Sequence, residues 1–201
     1  MEILRAEGVS SIKGFTEKGV GSLVLYTNVS LDALSDEKIR IFVDRNGRDN
    51  HQITKSEVPL KSLILACTYG TDAITSFPAN VGEAFDLVAL LELAENGAYK
   101  LEGNDRLRIE LSGLDDTKIY VIDGIEEPVE VTESYEFEEK ILLSDSKVID
   151  IATRGYDVAV IDDDNTIQTI QMTYSNGRTC EYTRRELRAM SQDIDPVAYV
   201  K

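Results

Sequence analysis

Period-two alternation in short runs dominates the chain. Residues 21–30 (GSLVLYTNVS) and 37–44 (EKIRIFVD) carry branched and aromatic side chains at strand spacing on either side of a polar LDALSD segment, which predicts two antiparallel strands. Asn46-Gly47 supplies the positive-φ pair of a tight turn. Two further strand-like runs follow, a short one at 51–54 and a richly apolar one at 60–67, and 71–78 reads as one helical turn or a loop. Residues 85–93 (FDLVALLEL) are apolar at both helical and strand spacing; the Asn96-Gly97 turn signal just beyond favours a strand. Short runs at 99–101, 106–111 and 118–122 are punctuated by Gly103-Asn104 and by SGLDDT. In RLRIEL, Leu107, Ile109 and Leu111 should face inward and Arg106, Arg108 and Glu110 outward, with KIYVID as the hairpin partner.

An acidic stretch with Pro128 at 124–133 (GIEEPVEVTE) is the one plausible internal boundary. It divides the chain into a jelly-roll-like β-sandwich over 1–125 and a smaller β-rich C-terminal region over 126–201. Strands are expected there at 137–143, 148–152, 156–161, 166–174 and 178–182, and Asn176-Gly177 is the strongest hairpin signal in the chain. Thr183 and Glu186 form a capping box, Leu187, Met190 and Ile194 recur at helical spacing, and Asp195-Pro196 stops the run, so one short helix is expected over 184–194. The apolar tail 197–200 could add a strand or dock on a neighbour. No repeat of fixed period and no low-complexity tract interrupts this all-β pattern.

Composition adds that 201 residues, 42% hydrophobic, suffice for a core without staples. With 37 acidic against 21 basic side chains the formal charge is -16, a field that repels phosphodiester backbones and argues against direct nucleic-acid binding. Between 126 and 145 eight acids face only Lys140, which reads either as a solvated face or as a contact surface for a basic partner. No stretch reaches the roughly 18 apolar residues of a membrane-spanning helix. The start, MEILRAEGVS, lacks a signal-peptide layout, so cytosolic synthesis is the expectation. Cys67 and Cys180 have no C-x-x-C spacing and read as small buried apolar residues; a long-range disulfide between them stays open at this stage.

Candidate chemistry is sparse. His51 is the one histidine, set in a polar stretch that suggests an exposed loop, and no serine stands in a G-x-S-x-G context. Gly14, Gly19 and Gly21 precede a strand rather than opening a helix, which weakens a phosphate cradle. Asp162, Asp163 and Asp164, with Asn165, form the densest oxygen cluster and are the candidate calcium ligands, although consecutive acids without the EF-hand glycine and glutamate fit a solvated turn as well. Asp115-Asp116 is a weaker pair of the same kind. A glycosidase would need spaced carboxylates on an aromatic-lined face, and the chain has no tryptophan. No catalytic residue is expected, nor any cofactor beyond that calcium.

The runs GSLVLYTNVSLDALSDEKIRIFV and FDLVALLELAENGAYKLEGNDRLRIELSGLDDTKIYVI resemble the paired strands of jelly-roll coat proteins, especially those of tailless icosahedral bacterial viruses. The resemblance lies in strand order and length over 1–125 and carries no functional residue with it. Residues 126–201 are few for a second roll of ordinary size, and no basic genome-binding arm is present. It implies a self-assembling capsid subunit, synthesised in a host cytoplasm and residing in the virion. Its partners would be copies of itself and other structural proteins of the same assembly, with an inner face that meets proteins or a lipid layer. Candidate contacts are Arg184, Arg185 and Arg188 of the helix, the acids Glu136, Glu138 and Glu139, and the tail. The alternative is an acidic β-sandwich that binds a carbohydrate or protein ligand through its loops, aided by calcium at Asp162 to Asp164. A carboxylate-pair hydrolase comes third.

Overall fold

The computed structural model describes residues 1–68, 75–80, 83–141, 148–156, 158–161 and 167–186. In chain order the elements are β1 (Glu2–Glu7), β2 (Ser11–Thr16), β3 (Ser22–Thr27), a 3-10 turn (Leu31–Ala33), β4 (Lys38–Asp44), β5 (His51–Gln52) and β6 (Val58–Pro59). Then come α1 (Leu60–Cys67), β7 (Thr75–Asn80), β8 (Glu83–Glu92), β9 (Ala98–Tyr99), β10 (Arg106–Ser112) and β11 (Ile119–Ile125). The C-terminal region contributes β12 (Glu130–Val131), β13 (Thr169–Thr173) and β14 (Thr179–Thr183).

Two five-stranded sheets face each other, one ordered β1-β11-β3-β8-β7 and the other β2-β10-β4-β5 with β6 beside β4. Setting aside β6 and the edge strand β7 leaves eight strands, β1-β11-β3-β8 facing β2-β10-β4-β5, which is the strand order of a jelly roll. The protein is therefore an all-β sandwich. Its core is the inward half of each alternating run: Leu23 and Leu25, Ile39, Ile41 and Val43, Leu87, Ala89 and Leu91, and Leu107, Ile109 and Leu111 are all buried. The outward Arg106, Arg108 and Glu110 are half-buried, as the alternation in β10 requires.

Partner choice differs from the sequence expectation in two places. β3 and β4 are strands, but they lie in opposite sheets, joined by a crossover through the 3-10 turn. β11 is likewise no hairpin partner of β10: it sits between β1 and β3, whereas β10 sits between β2 and β4. The reason lies in the SGLDDT connection. Gly113 takes a left-handed φ of +68°, Leu114 is buried and donates its N–H to the Ser10 carbonyl at 3.0 Å, and Asp115 closes a turn on Thr117 and Lys118. That path carries the chain across the sandwich. Tyr120, Val121 and Ile122 are consecutive and all buried, as befits a central strand rather than a half-exposed hairpin arm.

The apolar run 60–67 is a helix, not a strand. Pro59 presets the entry, and Leu60, Leu63 and Ile64 recur at helical spacing, are buried, and seat α1 against β8. Thr68 closes its end by donating its hydroxyl to the Ile64 carbonyl at 2.7 Å. Residues 75–78, expected as a helical turn or loop, belong to β7. At Asn46-Gly47 only Gly47 has a positive φ, +76°, so the turn is not the paired-positive kind. Residues 85–93 fall almost wholly in β8, as expected. In the C-terminal region β13 and β14 form the hairpin at Asn176-Gly177, but the described parts of 137–143, 148–152 and 156–161 make no strand, apart from an isolated parallel bridge of Phe137 to Thr54. Thr183 and Glu186 form the capping box, with the Glu186 carboxylate accepting from the Thr183 N–H at 2.8 Å; the rest of the expected helix and the tail lie outside the described residues.

Candidate functional site

Past β11 the acidic segment turns back over one end of the sandwich as a strap. β12 pairs in parallel with β9, the Tyr135 N–H donates to Leu93 O at 2.8 Å, and the Phe137 N–H donates to Ile53 O at 2.7 Å. Close backbone approach makes this possible. A Cβ at Gly97 would meet the Val129 carbonyl oxygen at 2.6 Å, and one at Gly21 would meet that of Gly97 at 2.6 Å. Gly19 is packed the same way against Tyr99, so the early glycines serve packing rather than a phosphate cradle.

His51 is in β5 and half-buried, not in an exposed loop. Its Nε2 lies 2.7 Å from Ser134 Oγ on the strap, and its ring stacks on Tyr99 at 4.9 Å and 4°. Arg45 donates to the Tyr99 hydroxyl at 2.7 Å. Desolvation, then the nearby Arg45 charge, lowers the His51 pKa, with Glu136 opposing. The Ser134 contact ties the strap to β5. Beside it an open groove of ≈ 520 Å³ is lined by Glu95, Asn96 and strap residues including Glu130, Glu133 and Ser134.

The expected contact acids sit at the end of the strap. Lys55 Nζ lies 3.3 Å from Glu138 and 3.8 Å from Glu136, and the Tyr156 hydroxyl donates to Glu138 at 2.6 Å. The Tyr156 bond first, then Lys55, holds the Glu138 carboxyl below its usual range. Glu139 is half-buried next to this cluster. Arg184 is half-buried and Arg185 exposed at the capping box, while Arg188 and the candidate calcium ligands Asp162, Asp163 and Asp164 lie outside the described residues. Among the described residues no cluster of His, Cys, Asp or Glu could hold a metal ion. Cys67 and Cys180 are both free thiols, and burial pushes the Cys67 thiol up to about 12, which leaves it protonated and unreactive. No helix among them is long and apolar enough to cross a membrane.

A further surface feature is one that strand reading alone did not single out: the outer face of the β2-β10-β4-β5 sheet. Its registers place Phe15, Arg108, Phe42 and Gln52 in one row across four strands, and Lys13, Glu110 and Arg40 in the next. Arg40 lies over the Phe42 ring at 4.8 Å and Arg106 over Phe15 at 4.7 Å. Lys13, Arg106 and Arg108 are paired with Glu110, Glu17 and Asp44 at 3.0, 2.7 and 2.6 Å. The alternation that buries Ile41 and Ile109 is what projects these cations outward, so the signal was present in RLRIEL and KIRIFVD. Their union on one face depends on the pairing of β4 with β10.

Beyond the strap the described residues 148–156 and 158–161 form no strand and expose their apolar side chains. Ile141 is 71% and Val148 73% exposed, and Ile151, Tyr156, Val158 and Val160 are exposed as well. The β13–β14 hairpin exposes Met172 and Tyr174 and half-buries Ile170, Cys180 and Tyr182, with no core of its own.

These features define an all-β sandwich with an acidic strap and, beyond it, a strandless arm whose described residues are exposed. No protein-family model matches the chain, and no curated protein matches its sequence.

Proposed function

We propose that the protein is a structural subunit that works by self-assembly, a viral capsid protein that acts through symmetric interfaces rather than an enzyme. The observation that carries this reading is the arm. A chain whose described residues leave Ile141, Val148, Ile151, Tyr156, Val158 and Val160 in water, and whose β13–β14 hairpin shows no buried residue, gains its buried surface from another molecule. An eight-stranded jelly roll with a strap-fastened exit presents such an arm from a rigid body, and identical copies can exchange arms in a closed arrangement. Other structural proteins of the same shell, or a lipid layer beneath it, are the further partners this reading supplies.

Light scattering across concentration, followed by electron microscopy of the large fraction, tests the proposal. Closed particles or discrete symmetric oligomers are the expected result; a monomer at every concentration would overturn it. A second reading, a ligand-binding module, draws on the acidic groove beside the strap, whose Glu95, Glu130 and Glu133 would suit a cationic organic or peptide ligand. A rise in thermal midpoint with a cationic peptide, in a chain that stays monomeric, would favour that reading.

A further inference from the structure

We infer that the outer face of the β2-β10-β4-β5 sheet is the docking surface for the acidic arm of a second copy of this chain. The inference deepens the self-assembly reading and rests on it. Charge complementarity is the first ground. On the outward positions of β2, β10 and β4 stand five cations, Lys13, Lys38, Arg40, Arg106 and Arg108, against three carboxylates, Glu110, Asp44 and, just past β2, Glu17. Residues 126–168 carry thirteen acidic against three basic side chains. In a chain of net charge -16, this face exposes Lys13 and Lys38, and the acidic segment exposes Glu136, Glu138 and Asp150 among its described residues.

Unfilled hydrogen-bonding capacity is the second ground. Arg40 Nε and Gln52 Oε1 are buried without a hydrogen-bond partner among the described residues, and both lie on this face, flanking Phe42. Neither Lys38 nor Arg40 has a carboxylate partner among the described residues, whereas the face's other three cations do. An arriving segment with carboxylates supplies an acceptor for Lys38 and for the Arg40 guanidinium. Phe15, 49% exposed under the Arg106 guanidinium, offers the apolar contact for the arm's Ile or Val side chains. The net charge of -16 opposes a nucleic acid on this face.

The test is light scattering of the full chain at low ionic strength with Lys38→Glu/Arg40→Glu on the face and Glu139→Lys/Asp150→Lys on the arm. Each variant alone should weaken association at least about tenfold, and mixing the two should restore it, because reversed face then meets reversed arm. Thermal unfolding and circular dichroism check folding, and Lys38→Glu alone, on an exposed side chain, is the milder second variant. Assembly at wild-type affinity in all variants overturns this interface while leaving self-assembly standing; a monomeric wild type overturns both. Binding of a single-stranded oligonucleotide that Arg40→Glu abolishes, with association unchanged, would reassign the face to a polyanion of another class.

Discussion

Tyr120 donates its hydroxyl to the buried Glu37 carboxylate at 2.8 Å, and the other Glu37 oxygen accepts from the Ser35 N–H at 2.9 Å. Burial first, then the bond to Glu37, raises the Tyr120 pKa, so the phenol stays a donor throughout the ordinary pH range. Tyr120→Phe leaves one Glu37 oxygen unsatisfied inside the sandwich and should cost about 1–3 kcal/mol in urea unfolding. His51 has the opposite sense. Its folded pKa lies below the ordinary 6.5, so the unfolded chain binds the proton more readily, and the stabilisation present above that value is lost as pH falls through it toward the folded pKa. The urea midpoint should therefore fall between about pH 7.5 and 5.5, and His51→Gln should flatten that slope.

Connections decide which elements meet. Gly113 combines a φ of +68° with an approach in which an added Cβ would lie against the Asp36 carbonyl oxygen well inside van der Waals contact. Gly113→Ala should destabilise the fold by more than about 1–2 kcal/mol, read as a lowered thermal midpoint, because left-handed strain and overlap add. The β13–β14 hairpin stands at the other extreme. Exposed on one face and at most half-buried on the other, it should exchange its amides far faster than β10, which lies between two strands over a buried row. Gly177→Val, at a φ of +78°, should speed that exchange further without moving the main unfolding transition, as hydrogen exchange read by mass spectrometry would reveal.

At the scale of the molecule, the rigid sandwich and the strandless arm should respond differently to a protease. Lys140 and Arg154 are exposed on a stretch with no strand, so trypsin should cut there first and leave a resistant fragment containing the sandwich and its strap. Assembled protein should lose those cuts if arms are buried between copies; equal cleavage of assembled and dispersed chains would argue that the arms stay in solvent.

Period-two runs located β3, β4, β8, β10 and β11 and the inward faces of β10, because alternation is a local property that burial on one side imposes on each strand. Asn176-Gly177 and the Thr183–Glu186 box were legible for the same reason: their chemistry is complete within a few residues. Pro59 was the available signal for α1, but eight mostly apolar residues fit either period, and packing against β8 decided. Strand partners were not legible. Whether β11 joins β10 or β1 and β3 depends on the path of one connection across the sandwich, a long-range choice with no local signature. The candidate sites divide in the same way. The acids of the strap and the cations of β4 and β10 can be read from the chain, but tertiary structure alone places His51 against Ser134, 83 positions away, and gathers Arg40, Arg106 and Arg108 onto one face. The sequence by itself determined which residues seek the interior; which of the remaining polar groups stand together was decided only when the two sheets closed over them.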